Sequence, residues 1–273
     1  MDAMLRDDAL EARSAFAPFE RIEGSGASGA LVICDHAAND FPPGYDGLGL
    51  PGEALERHIA YDIGAARLAR RLAQQLSAPA VLSTFSRLLI DPNRGADDPT
   101  LVMRISDGAL IPGNARIDHL EIERRRRLYW APYRAAIEAS VEAMLAAGEP
   151  PAILSIHSFT PNWRGAPRPW KVGVLWDRDP RLPEPLIRAL AAEKDLAAAE
   201  VGDNEPYDGA LLGDTIHAVA TARGLSNVLI EVRQDLIADR RGAEAWADRL
   251  ARILAPLIAP RAARAPVQWG SRA

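Results

Sequence analysis

The chain has 273 residues, 48% of them hydrophobic, and a formal net charge of −5. That is enough apolar material for one large domain or two small ones, and the acidic balance argues against a general attraction to nucleic acid. No apolar run approaches the roughly 20 residues a membrane helix needs, and Met1 to Pro18 lacks the apolar core of a secretory signal. Cys34 is the single cysteine, which leaves no internal disulfide and no cysteine-based metal cluster and fits a reducing cytoplasm.

Residues 1–20 read as an N-terminal arm. Gly24-Ser25-Gly26-Ala27-Ser28-Gly29 has the glycine content of a phosphate loop, but it precedes a strand and lacks Gly-Lys-Ser/Thr. That strand, Ala30 to Cys34, runs into Asp35-His36-Ala37-Ala38-Asn39 and a Pro/Gly-rich loop through Pro51. Gly52 to Leu76 predicts one long amphipathic helix with Leu55, Ile59, Ile63, Leu72 and Leu76 on its apolar face. On such a helix His58 and Asp62 share a side. Ala80 to Leu82 and Arg87 to Ile90 predict short strands, the second followed by the turn Asp91-Pro92-Asn93-Arg94-Gly95 and a loop over 95–115. Asp118, with Glu121 three residues on, marks a helix start. The helix is expected to reach about Ala147 with a bend at Pro132, the run Arg124 to Arg127 forming a solvated face. A strand ends at His157, and another spans Val172 to Trp176. Helices over Pro183 to Ala198 and Ala210 to Arg223, a strand over Asn227 to Val232 and a helix from Ala243 to Ile258 complete the pattern before a loose tail, 260–273. Strands alternate with helices without a compositional break or internal repeat. The expected fold is a single α/β domain over 21–259 with a central mostly parallel or mixed sheet flanked by helices.

His36 and His157 each close an apolar strand, and strand ends of an open α/β sheet converge on one crevice. Two imidazoles, one carboxylate and an open fourth position make a catalytic zinc site; the competing reading of each histidine is a capping or hydrogen-bonding residue. Asp35, Asn39, Asp40, Glu56 and Asp62 are available for the third position, with His58 as a further ligand or as a partner orienting Asp62. Glu231 interrupts the apolar run Val228 to Val232, where an unpaired buried carboxylate is costly. It suits a general base, or a salt bridge to Arg233 or a histidine. Arg94 and Asn93, in a turn after a strand, suit a bidentate clamp on a substrate carboxylate. Arg87 points to the same region or is structural, and Asp91 can hold the turn through its own backbone. His119 is expected to be exposed and His217 structural. Trp163, Trp170 and Trp176 wall a cleft or pack a core, and Asn204 to Gly209 forms a polar loop able to touch substrate. Ser158 lacks the Gly-x-Ser-x-Gly elbow of a serine hydrolase.

Taken in order, Asp35-His36-Ala37 with Pro42, Tyr61-Asp62-Ile63-Gly64, Ser86 to Arg94, Ile156-His157-Ser158-Phe159-Thr160-Pro161 and Ile230-Glu231-Val232-Arg233 resemble the N-formylglutamate amidohydrolase family. The resemblance implies a zinc-dependent amidohydrolase with a zinc-carboxypeptidase-like fold. His36, Asn93-Arg94, His157 and Glu231 match that group's first histidine, Asn-Arg turn, second histidine and strand glutamate. This chain has Asp35-His36-Ala37-Ala38 where the family usually shows Pro-His-Ser-Gly, and Asn39 where the wider carboxypeptidase group has a glutamate. Asp62, in the family's Asp block, is therefore the expected third ligand. The implied chemistry is Zn2+ on His36, Asp62 and His157, with Glu231 as base, Asn93 and Arg94 clamping a carboxylate, and Arg87 at the oxyanion. The expected partner is a small N-acyl amino acid, with no nucleic acid or membrane; N-formylglutamate would give formate and glutamate in amino-acid catabolism. The alternatives are an amidase for another peptide-like amide, and a metal-free relic that binds acidic metabolites.

Overall fold

The computed structural model describes residues 16–273. Its central sheet comprises β1 (Phe19–Ile22), β2 (Ala30–Cys34), β3 (Ala80–Ser83), β4 (Ala152–Phe159), β5 (Val172–Leu175), β6 (Val201–Asp203) and β7 (Asn227–Arg233), in the order β1-β3-β2-β4-β7-β5-β6. The central run β3-β2-β4-β7 is parallel. At the flanks β1 is antiparallel to β3 and β5 antiparallel to β7, while β6 is parallel to β5. The helices are α1 (Gly52–Leu55), α2 (Ala65–Leu76), α3 (His119–Arg125), α4 (Ala131–Ala146), α5 (Pro183–Ala191), α6 (Thr215–Val219), α7 (Arg240–Ile258) and α8 (Arg261–Arg264). This is the expected single α/β domain with a mostly parallel, mixed sheet between helices. Among the described residues no helix is long and apolar enough to cross a membrane.

The alternation of side chains along a strand decides which residues reach the site. Val32, Leu154, Ile156, Val228 and Ile230 face one layer, where they pack on Leu68 and Leu72 of α2 and Leu250 and Leu254 of α7. Leu31, Ile33, Ile153 and Leu229 face the other, against Tyr133, Ile137 and Val141 of α4 and Ile216 of α6. His157 shares the parity of Ile153, and Glu231 that of Leu229. Both therefore emerge on the α4–α6 side, where the strands run past their helical cover and a cleft opens.

The predicted helix over 52–76 is interrupted. α1 is a single turn, and the chain bends through residues 56–64 before α2 begins. Gly64 sits at φ +83°, and a Cβ there would lie 2.2 Å from the Ile237 carbonyl oxygen, so the bend accepts only glycine. His58 and Asp62 consequently do not share a helix face. The Asp62 amide instead donates to the His36 carbonyl at 2.9 Å, tying the bend to the end of β2.

Residues 87–90 form turns where a strand was expected, and the Asp91 amide bonds to the Leu101 carbonyl at 2.7 Å. Asp118 caps α3 by accepting from the Glu121 amide, as its spacing suggests. A π-helical turn over Arg126–Trp130 then leads into α4, close to Pro132, which offers no amide proton to the preceding turn. The helices expected over 183–198 and 210–223 shrink to α5 and to α6 with a 3-10 turn, leaving 210–214 as a cleft-side loop. The tail expected to be loose is packed: buried Arg264 donates to the carbonyls of Ile258 and Pro150, and Arg272 binds Asp177 and Asp208.

Candidate active site

The parallel register of β4 and β7 sets His157 beside Glu231, and β2, on the other flank of β4, delivers His36 just beyond its end. The two imidazole centroids lie 4.9 Å apart. Asp62 reaches both rings: its Oδ2 is 2.9 Å from His157 Nδ1 and its Oδ1 3.5 Å from His36 Nδ1. One ligand atom from each of His36, Asp62 and His157 lies within 4.8 Å of the others, and all three residues are buried. The remaining nitrogen of each ring meets another carboxylate. His36 Nε2 is 2.7 Å from Asp91 Oδ1, and His157 Nε2 is 3.0 Å from Asp35 Oδ2. This is the arrangement by which carboxylates fix the tautomer and direction of metal-binding histidines.

Asp35 and Asp91 are the residues whose full role the sequence did not disclose. Asp35 also accepts from Tyr133 Oη and Ser155 Oγ, which seats it behind His157 and not among the ligands. Asp91 holds its turn through the Asn93 amide, as expected, while binding His36 and taking Nε and Nη2 of Arg87 on its other oxygen. Adjacency of Asp35 to His36, and of Asp91 to the Asn93-Arg94 turn, was the only available signal.

Asp35, Asp62, Asp91 and Glu231 are all buried around this point. Burial alone would raise the Asp62 and Asp91 carboxyls. For Asp62 the two histidines outweigh it, and for Asp91 the Arg87 charge and His36 do, holding both below the ordinary range. Burial would likewise lower His157, but its bonds to Asp35 and Asp62 hold it well above the usual histidine value. Glu231 is the opposite case, with desolvation pushing its carboxyl up to about 7. Two polar atoms here, His36 Nδ1 and Glu231 Oε2, are buried without a hydrogen-bond partner. Such groups are costly unless something else satisfies them. A cation between the two rings and Asp62 answers both the idle nitrogen and the excess of negative charge, so this donor set fits a divalent metal.

His36, Asp62, His157 and Glu231 line a cleft of about 470 Å³ that also takes in Arg87, Asn93, Arg94, Trp163, Tyr207 and Asp214. Asn93 Oδ1 accepts from the Thr215 amide and the Arg94 carbonyl from Trp130 Nε1, and both residues line the cleft. Arg87 lines the same space but is committed to Asp91, with Nη1 3.8 Å from Asp62. His58 stands apart from the metal-type group, 3.6 Å from Asp107 and edge-on to Trp163. Asn39 turns away, donating to the Leu55 carbonyl and Glu56. Arg233 pairs with Asp235 and not with Glu231. Gly173, opposite Glu231 on β5, lets the Glu205 carbonyl approach where a Cβ would stand 2.2 Å from it, bringing the loop of Tyr207 over the site.

Residues 28–238 match the N-formylglutamate amidohydrolase family. The chain belongs to that family. The match covers the described ends of β2, β4 and β7, and it supports amide hydrolysis as the activity of the cleft. Among solved structures, gene product Atu2144 from Agrobacterium tumefaciens is 31% identical with a TM-score of 0.81, over 91% of this chain and 96% of that one. The N-formylglutamate amidohydrolase from Ralstonia eutropha JMP134 is 23% identical with a TM-score of 0.67, over 91% and 97%, and shares the fold. No curated protein matches.

Proposed function

We propose that the protein hydrolyses the amide bond of N-formylglutamate or a related N-acyl amino acid with the help of zinc, releasing formate or another acid and the amino acid. The observation that carries this reading is the idle, buried His36 Nδ1 facing Asp62 and His157, with Glu231 Oε2 also buried and unpartnered nearby. When bound, zinc supplies a Lewis acid that activates water and polarises the acyl carbonyl.

The rest falls to the chain. Glu231 takes a proton from the attacking water and returns it to the leaving nitrogen. The Arg94 guanidinium, with the Asn93 amide group beside it, holds a carboxylate of the amino-acid portion. The Asn93 turn is fixed for that task through Asp91 and Thr215. Arg87, expected to stabilise the oxyanion or the substrate, is tied to Asp91 and acts as a brace for the His36 side of the site.

Metal analysis should find about one zinc per chain, and formate release from N-formylglutamate or its relatives should stop with a chelator and return with zinc. Carefully prepared protein that holds no zinc yet binds acidic metabolites tightly would favour the metal-free binder. Arg94→Lys should raise KM about tenfold with little change in kcat, because an ammonium loses the bidentate geometry. An unchanged KM would place the carboxylate clamp elsewhere.

A further inference from the structure

His58 lines the cleft outside the His36–Asp62–His157 group, and the chemistry above gives it no task. Its Nε2 is buried and has no hydrogen-bond partner. A buried polar atom of this kind is costly unless something completes it. Asp107 does not: its Oδ2 lies 3.6 Å away, beyond a hydrogen bond, and accepts from Arg57 Nη2 at 2.7 Å instead. That oxygen still favours the tautomer with the proton on Nε2, so the ring presents an N–H and not a lone pair. Burial lowers the His58 pKa from its usual value; Asp107 opposes the shift, and the Arg57 and Arg87 charges reinforce it. The ring is therefore a neutral donor, packed across Trp163 with centroids 6.5 Å apart.

A second unspent donor belongs to Arg87. The Arg87 amide donates to the Ala60 carbonyl at 3.2 Å, which sets this residue against the bend that carries His58. Nε and Nη2 are committed to Asp91, but Nη1 has only Asp62 near it, at 3.8 Å. Arg94 is anchored on a different wall, where Trp130 holds its carbonyl and Thr215 holds the neighbouring Asn93 side chain. The lining acids Asp107 and Asp208 do not cancel these donors, because each is paired with an arginine, Arg57 and Arg272. An imidazole N–H and a guanidinium nitrogen together call for an anionic acceptor with two oxygens.

We propose that His58 is a specificity-determining residue: its Nε2, with Arg87 Nη1, donates to the side-chain carboxylate of a dicarboxylic N-acyl amino acid whose other carboxylate Arg94 holds. This rests on the hydrolytic reading above and narrows its substrates to acidic ones. His58 thereby acts on the substrate and not on the metal.

The test measures formate release by the zinc-loaded protein and its His58→Ala and His58→Phe variants, both of which lack the donor while the second keeps a ring against Trp163. The substrates are N-formyl-L-glutamate and N-formyl-L-norvaline, whose side chain has similar length and no carboxylate. The parent should favour the glutamate compound in kcat/KM by about tenfold or more. Whichever variant folds should lose about tenfold more kcat/KM on the glutamate compound than on the norvaline compound, mainly through KM. Equal losses on both substrates, or a parent without the preference, overturn the inference and leave the hydrolytic reading in place. If neither compound releases formate from the parent, the hydrolytic reading falls. Calorimetric titration with L-glutamate and L-norvaline then decides the role of His58 by itself: a preference for L-glutamate that the variants lose upholds it, and any other result overturns it.

Discussion

Exchanging Glu231 for glutamine should leave zinc content and melting temperature close to those of the parent protein and lower kcat by about 10²–10⁴-fold. The size of the effect follows from what the side chain lacks. Glu231 is buried on β7, next to His157 in register on β4 and across from Gly173 on β5, yet its Oε2 has no partner. The expected competing role, a salt bridge to Arg233, is absent because Arg233 binds Asp235 at 2.8 Å. A glutamine of the same shape therefore breaks no ion pair. It also removes the cost of holding a desolvated carboxylate, whose proton affinity burial has raised to about 7. What it cannot do is accept a proton. Turnover assays, metal analysis and thermal melting on one preparation check all three expectations. A loss of less than about tenfold in kcat would remove Glu231 as the base, and a loss of zinc would make it a ligand.

The strands that carry the chemistry were legible because they are continuous apolar runs. Ala30–Cys34, Ala152–Phe159 and Asn227–Arg233 are buried on both faces, and such runs stand out in a sequence whatever surrounds them. A histidine or glutamate at their ends is conspicuous for the same reason, so His36, His157 and Glu231 could be singled out before any geometry. The bends between elements were not legible. The apolar spacing through Ile59 and Ile63 mimics a helix, but Ile59 packs with Leu48, Leu88 and Ile111 in a separate cluster beside the cleft. What stops the helix is Gly64 against the Ile237 carbonyl, a contact 173 residues away in sequence that no local window contains. Leu88, Leu89 and Ile90 likewise read as a strand because they are buried, whereas two separate clusters bury them from a turn. Asp62 was reached by family likeness from a helix that does not exist, and it meets the histidines because the chain bends there. The backing of His36 by Asp91 and of His157 by Asp35 spans 55 and 122 residues. Only tertiary structure brings those pairs together.

Removing the Asp91 side chain should be the most damaging single change away from the proposed ligands. Asp91→Ala is expected to lower the free energy of unfolding by about 3–5 kcal/mol, as the loss of one partner from a buried ion pair does. It should also weaken zinc binding by about 10–100-fold, the usual effect of deleting the carboxylate behind a ligating histidine. Asp91 is fully buried and saturated: Oδ1 serves His36 Nε2 at 2.7 Å and the Asn93 amide at 3.0 Å, and Oδ2 serves Arg87 Nε and Nη2 at 3.1 and 2.7 Å. Alanine would leave the Arg87 guanidinium beside the cleft with only Asp62 near it, at 3.8 Å. That residual attraction would draw Arg87 toward Asp62, one of the proposed ligands. At the same time His36 would lose the bond that orients its ring, and the turn presenting Arg94 would loosen. Urea denaturation and a zinc titration separate the effects on stability and affinity. The double variant Asp91→Ala with Arg87→Met distinguishes their causes, because it removes the stranded cation while leaving His36 unsupported. It should recover much of the stability lost by Asp91→Ala and little of the zinc affinity. Equal recovery of both would mean that Asp91 acts on the metal site only by neutralising Arg87, and that the orientation of His36 is set elsewhere.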